Sequence, residues 1–313
     1  MDMRVSSVAP CKPMYAHSSL PLLVGPGLPD QALRRVLPAL HQVVDDELLR
    51  SGALLLRGFQ SYGEQDLAAF VRSFGHLPFR RALAAPETAP QEALALHNEQ
   101  SHAAFWPMKL WFHCLQAGGE VILADGREVY RRLDFSLRKR FASKRLMYVR
   151  NFGNGLDLPW QTAFATSDRN LVEGILRAQQ IHYEWKGDGQ LRTRQVAQAV
   201  ACHPGTGELV WFNQAHVWHL SSLPAVQQAN LLAILPSILD FPRQVYYGDG
   251  SELELDALAQ IRGVLDECRV AFAWEKGDVL MLDNMLTLHG RSHHAGARRV
   301  LMAMAEGAPQ VIA

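Results

Sequence analysis

The sequence predicts a mainly β fold with flanking helices, of the double-stranded β-helix (jelly-roll) type. The last third of the chain alternates short apolar segments with turn signals such as Lys276-Gly277-Asp278, which is typical of antiparallel strands. Segments with helical spacing of apolar residues lie outside these strands. Hydrophobic residues make up 48% of the 313 residues, which is ample for a buried core. We therefore expect a single domain over residues 1–313.

The first part of the chain predicts two helices around one strand. Residues 1–29 contain five prolines, and we expect this N-terminal segment to be irregular. Residues 33–49 carry leucines and valines at helical spacing and predict a helix. The run Ala53–Leu56 predicts a buried strand, and residues 65–74 predict a short helix that ends before Gly75.

Residues 77–94 leave two interpretations open. The segment has three prolines among alanines and polar residues, which is typical of a surface loop. It also leads directly to His97, so it is alternatively a lid over a site that begins there.

The remaining elements follow in order. Residues 109–115 predict a strand and residues 129–141 a helix. We expect a helical insertion of mixed character around 142–195, with a helix at 170–180. Further strands are predicted at 195–202, 209–212, 270–274, 279–282 and 300–304, and a helix at 224–235.

Charge and cysteine content limit the class of protein. Lys+Arg and Asp+Glu both number 31, so the formal net charge is zero, and nothing indicates binding to nucleic acid or to a membrane surface. The four cysteines are scattered and form no C-x-x-C pair, as expected in a reducing compartment. No long apolar run predicts a membrane span or a secretory signal. We therefore expect a cytoplasmic protein, with its oligomeric state left open.

The most informative segment is His97-Asn98-Glu99, together with His289 near the other end of the chain. On a strand, residues two apart point to the same face, so His97 and Glu99 would converge. Two imidazoles and one carboxylate are the ligands that hold a non-haem Fe(II) and leave coordination positions open. An isolated H-x-E pattern is weak evidence for a metal site, so the interpretation depends on the motifs around it.

Several motifs supply that context. They are Trp106-Pro107-Met108-Lys109-Leu110-Trp111 with Gly118-Gly119-Glu120, then His203-Pro204-Gly205-Thr206-Gly207-Glu208 and Trp211-Phe212-Asn213-Gln214, and last Gly277-Asp278-Val279-Leu280-Met281-Leu282-Asp283-Asn284 with His289-Gly290-Arg291 and Arg298-Arg299. Over about residues 45 to 306, the chain resembles the taurine dioxygenase (TauD/TfdA) family of Fe(II)/2-oxoglutarate-dependent oxygenases. Within that family it looks most like the syringomycin-type hydroxylases of antibiotic biosynthesis.

The resemblance implies a jelly-roll oxygenase with a defined set of site residues. His97, Glu99 and His289 match the family's iron ligands. Arg299 matches the arginine that binds the distal carboxylate of 2-oxoglutarate, for which a planar guanidinium is well suited. The family uses Fe(II) as cofactor and 2-oxoglutarate and O2 as co-substrates. A non-catalytic ligand-binding jelly roll and a zinc hydrolase are disfavoured, because the three ligands and Arg299 occur together.

Three positions refine the expected chemistry. The family often has a threonine that helps to bind 2-oxoglutarate where this chain has Val121, so we expect co-substrate binding weaker by about 1 kcal/mol. The taurine enzyme has a sulfonate-binding arginine where this chain has Ala303, which argues against a taurine-like substrate. Halogenases of this fold lack the carboxylate that Glu99 provides. Hydroxylation is therefore favoured, with desaturation or oxidative rearrangement as alternatives.

Substrate recognition is predicted from polar residues near the expected site. They suit an amino acid or an amino-acid-derived substrate, either free or tethered to a carrier protein. These residues are Gln100, Ser101 and His102, which directly follow Glu99, together with Asn213, Arg127, Arg192 and Arg194.

Four other histidines and two cysteines have competing interpretations. His293 and His294 are either extra ligands or part of a solvated turn, and we favour the turn. His216 and His219 are either a pair of helix-side ligands or residues that pack near tryptophan, and we favour packing. We expect Cys114 and Cys202 to behave as small, buried, apolar residues.

Overall fold

A computed structural model describes residues 11–61, 63–74, 78–84, 93–153, 155–235 and 237–309. Two β-sheets face each other and enclose an apolar core, and helices cover their outer faces. This arrangement is the predicted jelly roll with flanking helices. Among the described residues, no helix is both long and apolar enough to cross a membrane.

The major sheet has seven strands in the order β1-β2-β3-β15-β6-β17-β4, and only the β2–β3 pair is parallel. Its strands are β1 (Lys12–Tyr15), β2 (Ser18–Val24), β3 (Ala53–Leu56), β15 (Val279–Asp283), β6 (Phe105–Gln116), β17 (Arg299–Pro309) and β4 (Pro78–Ala84). β3 and β15 are buried along their whole length, so their sequences are almost uniformly apolar rather than alternating.

The minor sheet has four antiparallel strands in the order β14-β7-β16-β5. They are β14 (Val270–Ala273), β7 (Glu120–Asp125), β16 (Thr287–Arg291) and β5 (Leu94–His97). Val121 and Leu123 of this sheet face Leu110, Leu280 and Leu282 of the major sheet, and these side chains form the core between the two sheets.

Two further sheets lie beside the jelly roll. One has the order β13-β8-β10-β9, and the other pairs β11 with β12. Their strands are β8 (Leu146–Phe152), β9 (His182–Trp185), β10 (Leu191–Ala197), β11 (Val200–Cys202), β12 (Leu209–Trp211) and β13 (Arg243–Tyr247).

The helices cover the outer faces of the sheets. α1 and α2 pack on the major sheet, and α3, α4 and α9 pack on the minor sheet. The helices are α1 (Leu37–Ser51), α2 (Glu64–Ser73), α3 (Gly126–Arg132), α4 (Phe135–Lys144), α5 (Trp160–Ala163), α6 (Arg169–Ala178), α7 (Ala215–Trp218), α8 (Ala225–Ile234) and α9 (Leu255–Cys268). Short 3₁₀ turns occur at Leu33–Arg35, Leu220–Ser222 and Ile238–Asp240.

Many local predictions are confirmed. The predicted strand Ala53–Leu56 is β3, and the helices predicted at 65–74, 170–180 and 224–235 are α2, α6 and α8 to within a residue or two. The helix predicted at 33–49 is divided into a 3₁₀ turn and α1. α1 ends at Gly52, whose φ of 82° is left-handed and whose N–H donates to the Leu48 carbonyl.

Two predictions of irregular backbone are wrong. Residues 12–15 and 18–24 of the expected irregular segment form β1 and β2. Pro13 is accommodated because β1 is the edge strand of the major sheet, where a missing N–H costs little. Residues 78–84 of the expected loop or lid form β4, which pairs with β17. Residues 85–92 of that segment lie outside the described residues.

Two predictions in the middle of the chain also need correction. The helix expected at 129–141 is two helices, because the Asp134 carboxylate accepts hydrogen bonds from the N–H groups of Ser136 and Leu137 and starts a new helix there. The expected helical insertion at 142–195 is largely a sheet: it contains β8, β9 and most of β10 besides α5 and α6. These three strands form a four-stranded sheet together with β13, a strand that the sequence did not predict.

Candidate active site

His97, Glu99 and His289 meet at one end of the jelly roll. Strands β5 and β16 are neighbours, and His97 pairs directly with His289 in their register. One possible ligand atom from each of the three side chains lies within 4.8 Å of the other two. The His97 Nε2 atom is 3.6 Å from the Glu99 Oε2 atom, and the two imidazole centres are 4.4 Å apart. The fold therefore brings together residues that are 192 positions apart in the chain, from His97 to His289.

The sequence predicted that His97 and Glu99 lie on one strand, and this prediction is wrong. β5 ends at His97, and Glu99 lies in the turn that follows. Gln100 has a φ of 56°, a left-handed conformation that turns the chain directly after Glu99. The convergence of the two side chains thus comes from a strand end and a turn.

Two buried amides hold this turn. The Asn284 Oδ1 atom accepts a hydrogen bond from the Glu99 N–H at 2.8 Å, and the Asn284 Nδ2 atom donates to the Glu99 carbonyl at 2.9 Å. The Gln214 Nε2 atom donates to the Asn98 carbonyl at 2.7 Å. Sequence reasoning placed Asn284 and Gln214 in motifs but assigned them no role, because only the folded chain brings them to the turn.

The protonation states of the cluster suit a divalent metal. Burial and the charge of His97 lower the pKa of His289 to about 3, so its imidazole is neutral at neutral pH. Burial opposes ionisation of Glu99, but the neighbouring imidazoles of His97, His289 and His102 lower its pKa. Neutral imidazole and ionised carboxylate are the forms that bind metals.

Hydrogen bonding also orients the imidazoles. The His97 Nδ1 atom lies 2.9 Å from the Ala95 carbonyl, so Nδ1 carries the proton and Nε2 is left as the acceptor beside Glu99. The His289 Nδ1 atom is buried and has no hydrogen-bond partner among the described residues. A donor set of two nitrogens and one carboxylate oxygen, with a buried ring nitrogen left unsatisfied, fits a non-haem iron.

The predicted Arg299 is the first residue of β17 and is partly exposed, and the preceding Arg298 is buried. On β17, Val300, Met302 and Met304 face the core between the sheets, whereas Leu301 and Ala303 face the layer of α1 and α2. Arg298 precedes β17, and the pairing of β17 with β6 shifts in register between Arg299 and Val300, so this alternation does not assign a face to Arg298.

The surroundings of Arg298 place its side chain beside the core between the sheets. The Arg298 side chain is buried, and its guanidinium carbon lies 6.0 Å from the ring centre of Trp274, a residue of the core between the sheets. Burial and the charge of Arg291 lower the pKa of Arg298 to about 10, so the group remains cationic at neutral pH. Its Nη1 atom is buried without a hydrogen-bond partner among the described residues.

Val121 lines the core between the sheets. It is buried and pairs with Arg291 on β16 and with Phe272 on β14. No hydroxyl is available from this position, as the sequence predicted.

Of the three residues that follow Glu99, two face a cavity and one does not. Gln100 and His102 line a cavity of about 260 Å³. Ser101 is fully buried, and its hydroxyl donates to the Asn98 carbonyl at 3.2 Å, so it stabilises the turn.

Asn213 and Arg127 are occupied by other parts of the protein. The Asn213 side chain donates to the Ala199 carbonyl and accepts from the Ala215 N–H. The Arg127 guanidinium pairs with Asp125 and Glu208 and donates to two carbonyls at the end of α1. Both side chains therefore hold elements together, and the expectation that they bind substrate is not supported.

The other two predicted arginines also pair within the protein. Arg192 is buried and binds Asn151 and Asp240, and Arg194 lies 3.4 Å from Glu184. These contacts secure the sheet of β8, β9 and β10. Neither arginine lines the cavity of Gln100 and His102.

The four other histidines that the sequence offered as ligands do not join the cluster. His293 is exposed, and neither it nor His294 belongs to the group of possible ligands found among the described residues. The His216 Nε2 atom is 2.6 Å from the Leu96 carbonyl, and the His219 Nδ1 atom accepts from the Ser221 N–H. Cys114 is buried as expected, but Cys202 is exposed.

Comparison with known proteins identifies relatives over most of the chain. The family described as taurine catabolism dioxygenase TauD, TfdA family matches residues 18–305. The dapdiamide synthesis protein DdaC of Enterobacter agglomerans is 34% identical over 280 residues, which cover 84% of this chain and 85% of that protein. A clavaminate synthase-like protein of Arabidopsis thaliana is 28% identical over 336 residues, covering 96% and 98% of the two chains.

Solved structures show the same fold. PvcB from Pseudomonas aeruginosa has a TM-score of 0.58 at 17% identity and covers 98% of this chain and 93% of its own. A second PvcB structure, described as an Fe, α-ketoglutarate dependent oxygenase from an isonitrile synthetic pathway, has a TM-score of 0.57 at 16% identity with the same coverage.

Proposed function

The chain belongs to the TauD/TfdA family of dioxygenases, and from this premise we propose that it hydroxylates an unactivated C–H bond of an amino acid or amino-acid-derived substrate in natural-product biosynthesis. Enzymes of this class use Fe(II), with 2-oxoglutarate and O2 as co-substrates. The observation that carries the proposal is the cluster of His97, Glu99 and His289 at the end of the jelly roll.

In this proposal the three side chains hold Fe(II) on one face. When bound, the metal supplies the redox chemistry that couples decarboxylation of 2-oxoglutarate to oxidation of the substrate. The chain contributes position: the Ala95 carbonyl fixes the His97 tautomer, and Asn284 fixes the backbone of Glu99. Glu99 would give the metal a carboxylate ligand that halogenases of this fold lack, which favours hydroxylation over halogenation.

We propose that Arg298, rather than Arg299, binds the distal carboxylate of 2-oxoglutarate. Its burial and its position near Trp274, a residue of the core between the sheets, support this assignment. A buried guanidinium with an unsatisfied nitrogen is a strong carboxylate ligand, because the pair is charge-assisted and can be bidentate. The position four residues after Arg298 is Met302 and the one after Arg299 is Ala303, so neither offers a guanidinium for a sulfonate.

The substrate class rests on the relatives. The protein that is 34% identical takes part in dapdiamide synthesis, and a structural neighbour acts in an isonitrile synthetic pathway. The substrate in this proposal is a small molecule, either free or tethered to a carrier protein. Desaturation or oxidative rearrangement at the same metal cluster is the second candidate reaction.

Two broader features complete the proposal. We place one oxygenase domain over residues 1–313. We also propose a cytoplasmic location, which is supported by four cysteines that form no disulfide.

The proposed function is tested by anaerobic titration of the protein with Fe(II) and 2-oxoglutarate, followed by succinate formation in air. We expect a visible charge-transfer band that is lost in His97→Ala and His289→Ala. His293→Ala is a matched control, because His293 is exposed and close in sequence to His289 but outside the cluster. Mass spectrometry of a turned-over substrate separates hydroxylation, which adds one oxygen, from desaturation, which removes two hydrogens. Absence of the band in the unmodified protein would sink the proposal.

A further inference from the structure

A cavity is lined on one side by the segment that follows Glu99 and on the other by the sheet of β8, β9 and β10. At one end are Gln100, His102 and Ala103, in the segment that follows Glu99. At the other end are Arg150 of β8 and Thr193 of β10, which pair in register. The metal-cluster residues His97, Glu99 and His289 do not line the cavity, but His102 does, and it is close enough to Glu99 to feel the charge of that carboxylate.

The charges around Arg150 do not balance. Asp157 accepts from the Arg150 Nε and Nη2 atoms at 2.7 and 3.1 Å, and Arg243 lies 3.4 Å from the same carboxylate. Among the described residues, no other carboxylate forms an ion pair with either guanidinium. Two cations thus share one anion, and one positive charge is left over beside the cavity.

The described residues that line the cavity include no acidic group that would cancel this charge. The positive charges of Arg150 and Arg243 also act on His102. Burial lowers the pKa of His102 to about 4, these two charges lower it as well, and Glu99 opposes the shift. Arg150 has also used only one edge of its guanidinium on Asp157, so its Nη1 atom can donate to a ligand.

The walls of the cavity are mixed: polar side chains such as Gln179 and Gln195 lie beside a group of apolar ones. Trp218, Phe164, Leu176 and Ile181 line it, and the Trp218 ring packs against His102 with 4.7 Å between ring centres. A volume of about 260 Å³ is at the small end of ligand pockets. The cavity is therefore suited to a small molecule with one anionic end and an apolar body.

We propose that this cavity binds the substrate as a free carboxylate, which pairs with Arg150 while an apolar side chain packs on Trp218 and Phe164. This inference rests on the proposed oxygenase function and narrows its substrate class. A substrate tethered to a carrier protein is a thioester, and its carbonyl carries no charge for Arg150 to bind. The structure therefore favours a free apolar amino acid, or an amide-linked derivative that keeps its carboxylate, over the tethered form.

The test compares three chemical forms of each probe. Free L-leucine, L-methionine and L-phenylalanine, their primary carboxamides and their N-acetylcysteamine thioesters are titrated anaerobically into protein loaded with Fe(II) and 2-oxoglutarate. Binding is followed by calorimetry and by the change in the charge-transfer band. We expect at least one free acid to bind roughly tenfold or more tightly than its carboxamide, the size expected for a charge-assisted hydrogen bond.

Variants assign this preference to Arg150. Arg150→Gln should remove the difference between acid and carboxamide, and Arg150→Lys should keep part of it, because the charge remains but the planar fork is lost. Arg194→Gln is the matched control: Arg194 follows Thr193 on the same strand but does not line the cavity. Since Arg150 also pairs with Asp157, the double variant Arg150→Gln/Asp157→Asn keeps the local charge matched if the single variant does not fold.

Each other outcome is decisive. Equal binding of acids and carboxamides, tighter binding of the thioesters, or no binding of any acid at millimolar concentration would overturn the inference. In those cases a charge-transfer band would still form, so the oxygenase function would stand. Absence of the band would instead be a failure of the proposed function.

Discussion

Asn284 clamps the backbone of Glu99 from both sides, although the two residues are 185 positions apart. Its Oδ1 atom accepts from the Glu99 N–H, and its Nδ2 atom donates to the Glu99 carbonyl and also to the Pro107 carbonyl. The Asn284 carbonyl in turn accepts from the Asn98 side chain at 2.7 Å. The turn that carries the carboxylate ligand is therefore held by the loop that leads into β16 and His289.

Asn284→Ala should weaken binding of Fe(II) by about 10- to 100-fold, the usual effect of losing a group that orients a ligand. The reason is that Glu99 would keep its carboxylate but lose its fixed backbone. The measurement is anaerobic Fe(II) titration of the charge-transfer band. Asn213→Ala is the control, since Asn213 is equally buried and bound to backbone but does not contact the turn. An equal loss in both variants would mean that Asn284 acts only through general stability.

Replacement of the two neighbouring arginines should separate their roles. We expect Arg298→Gln to weaken 2-oxoglutarate binding by about 10- to 100-fold, because a charged hydrogen-bond donor to the carboxylate is lost. Arg299→Gln should change it less, because in this assignment Arg299 does not bind the co-substrate and its side chain is less buried than that of Arg298. The KM for 2-oxoglutarate in succinate formation and thermal melting of each variant provide the check. A larger KM effect in Arg299→Gln would reverse the assignment.

Val121→Thr should tighten binding of 2-oxoglutarate by about fivefold, the equivalent of one net hydrogen bond of about 1 kcal/mol. Val121 is buried in the core between the sheets, so the new hydroxyl would gain a partner only when the co-substrate is bound. The variant should therefore melt at a lower temperature without 2-oxoglutarate and recover with it. Val121→Ala adds no hydroxyl and should not tighten binding. If Val121→Thr binds no better than the unmodified protein, the hydroxyl is supplied elsewhere.

Asp283→Asn should reduce the free energy of unfolding at neutral pH by about 3 kcal/mol, because it leaves Lys109 without its buried partner. Burial raises the pKa of Asp283, but Lys109 and His203 lower it by a larger amount. The net effect is a pKa that falls from 3.8 to about 2. A lowered folded-state pKa stabilises the protein above pH 3.8, and this contribution is lost as the pH falls through about 2.

The difference between Asp283→Asn and the unmodified protein should therefore narrow as the pH falls from about 4 towards 2. Urea unfolding at a series of pH values measures it. Asp46→Asn, at an exposed helix position, should show no comparable change. A difference that does not depend on pH would show that the ion pair with Lys109 contributes little.

Local sequence predicted secondary structure correctly where the tertiary surroundings of a segment favoured the same structure as its own residue pattern. Ala53–Leu56 is uniformly apolar because it lies between two strands, and the length of the run alone indicated a strand. The hairpin of β1 and β2 was missed because prolines argue against regular structure, and an edge position tolerates them. The break between α3 and α4 was missed although Asp134, a strong helix-capping residue, stood in the sequence.

The sequence by itself determined the kinds of atoms available to the site: two imidazoles and a carboxylate for the metal, and a pair of arginines for a keto acid. Only the tertiary structure shows that Arg298 is buried near Trp274 while Arg299 is partly exposed. The alternation of side chains on β17 depends on its pairing with β6, and the register shifts at Arg299 and Val300, opposite Gln116 and Cys114. The shared ion pair of Arg150 and Arg243 with Asp157 likewise depends on strands brought together from distant parts of the chain. A one-residue difference in register reverses the face of every side chain, and register is set by long-range contacts that no local pattern contains.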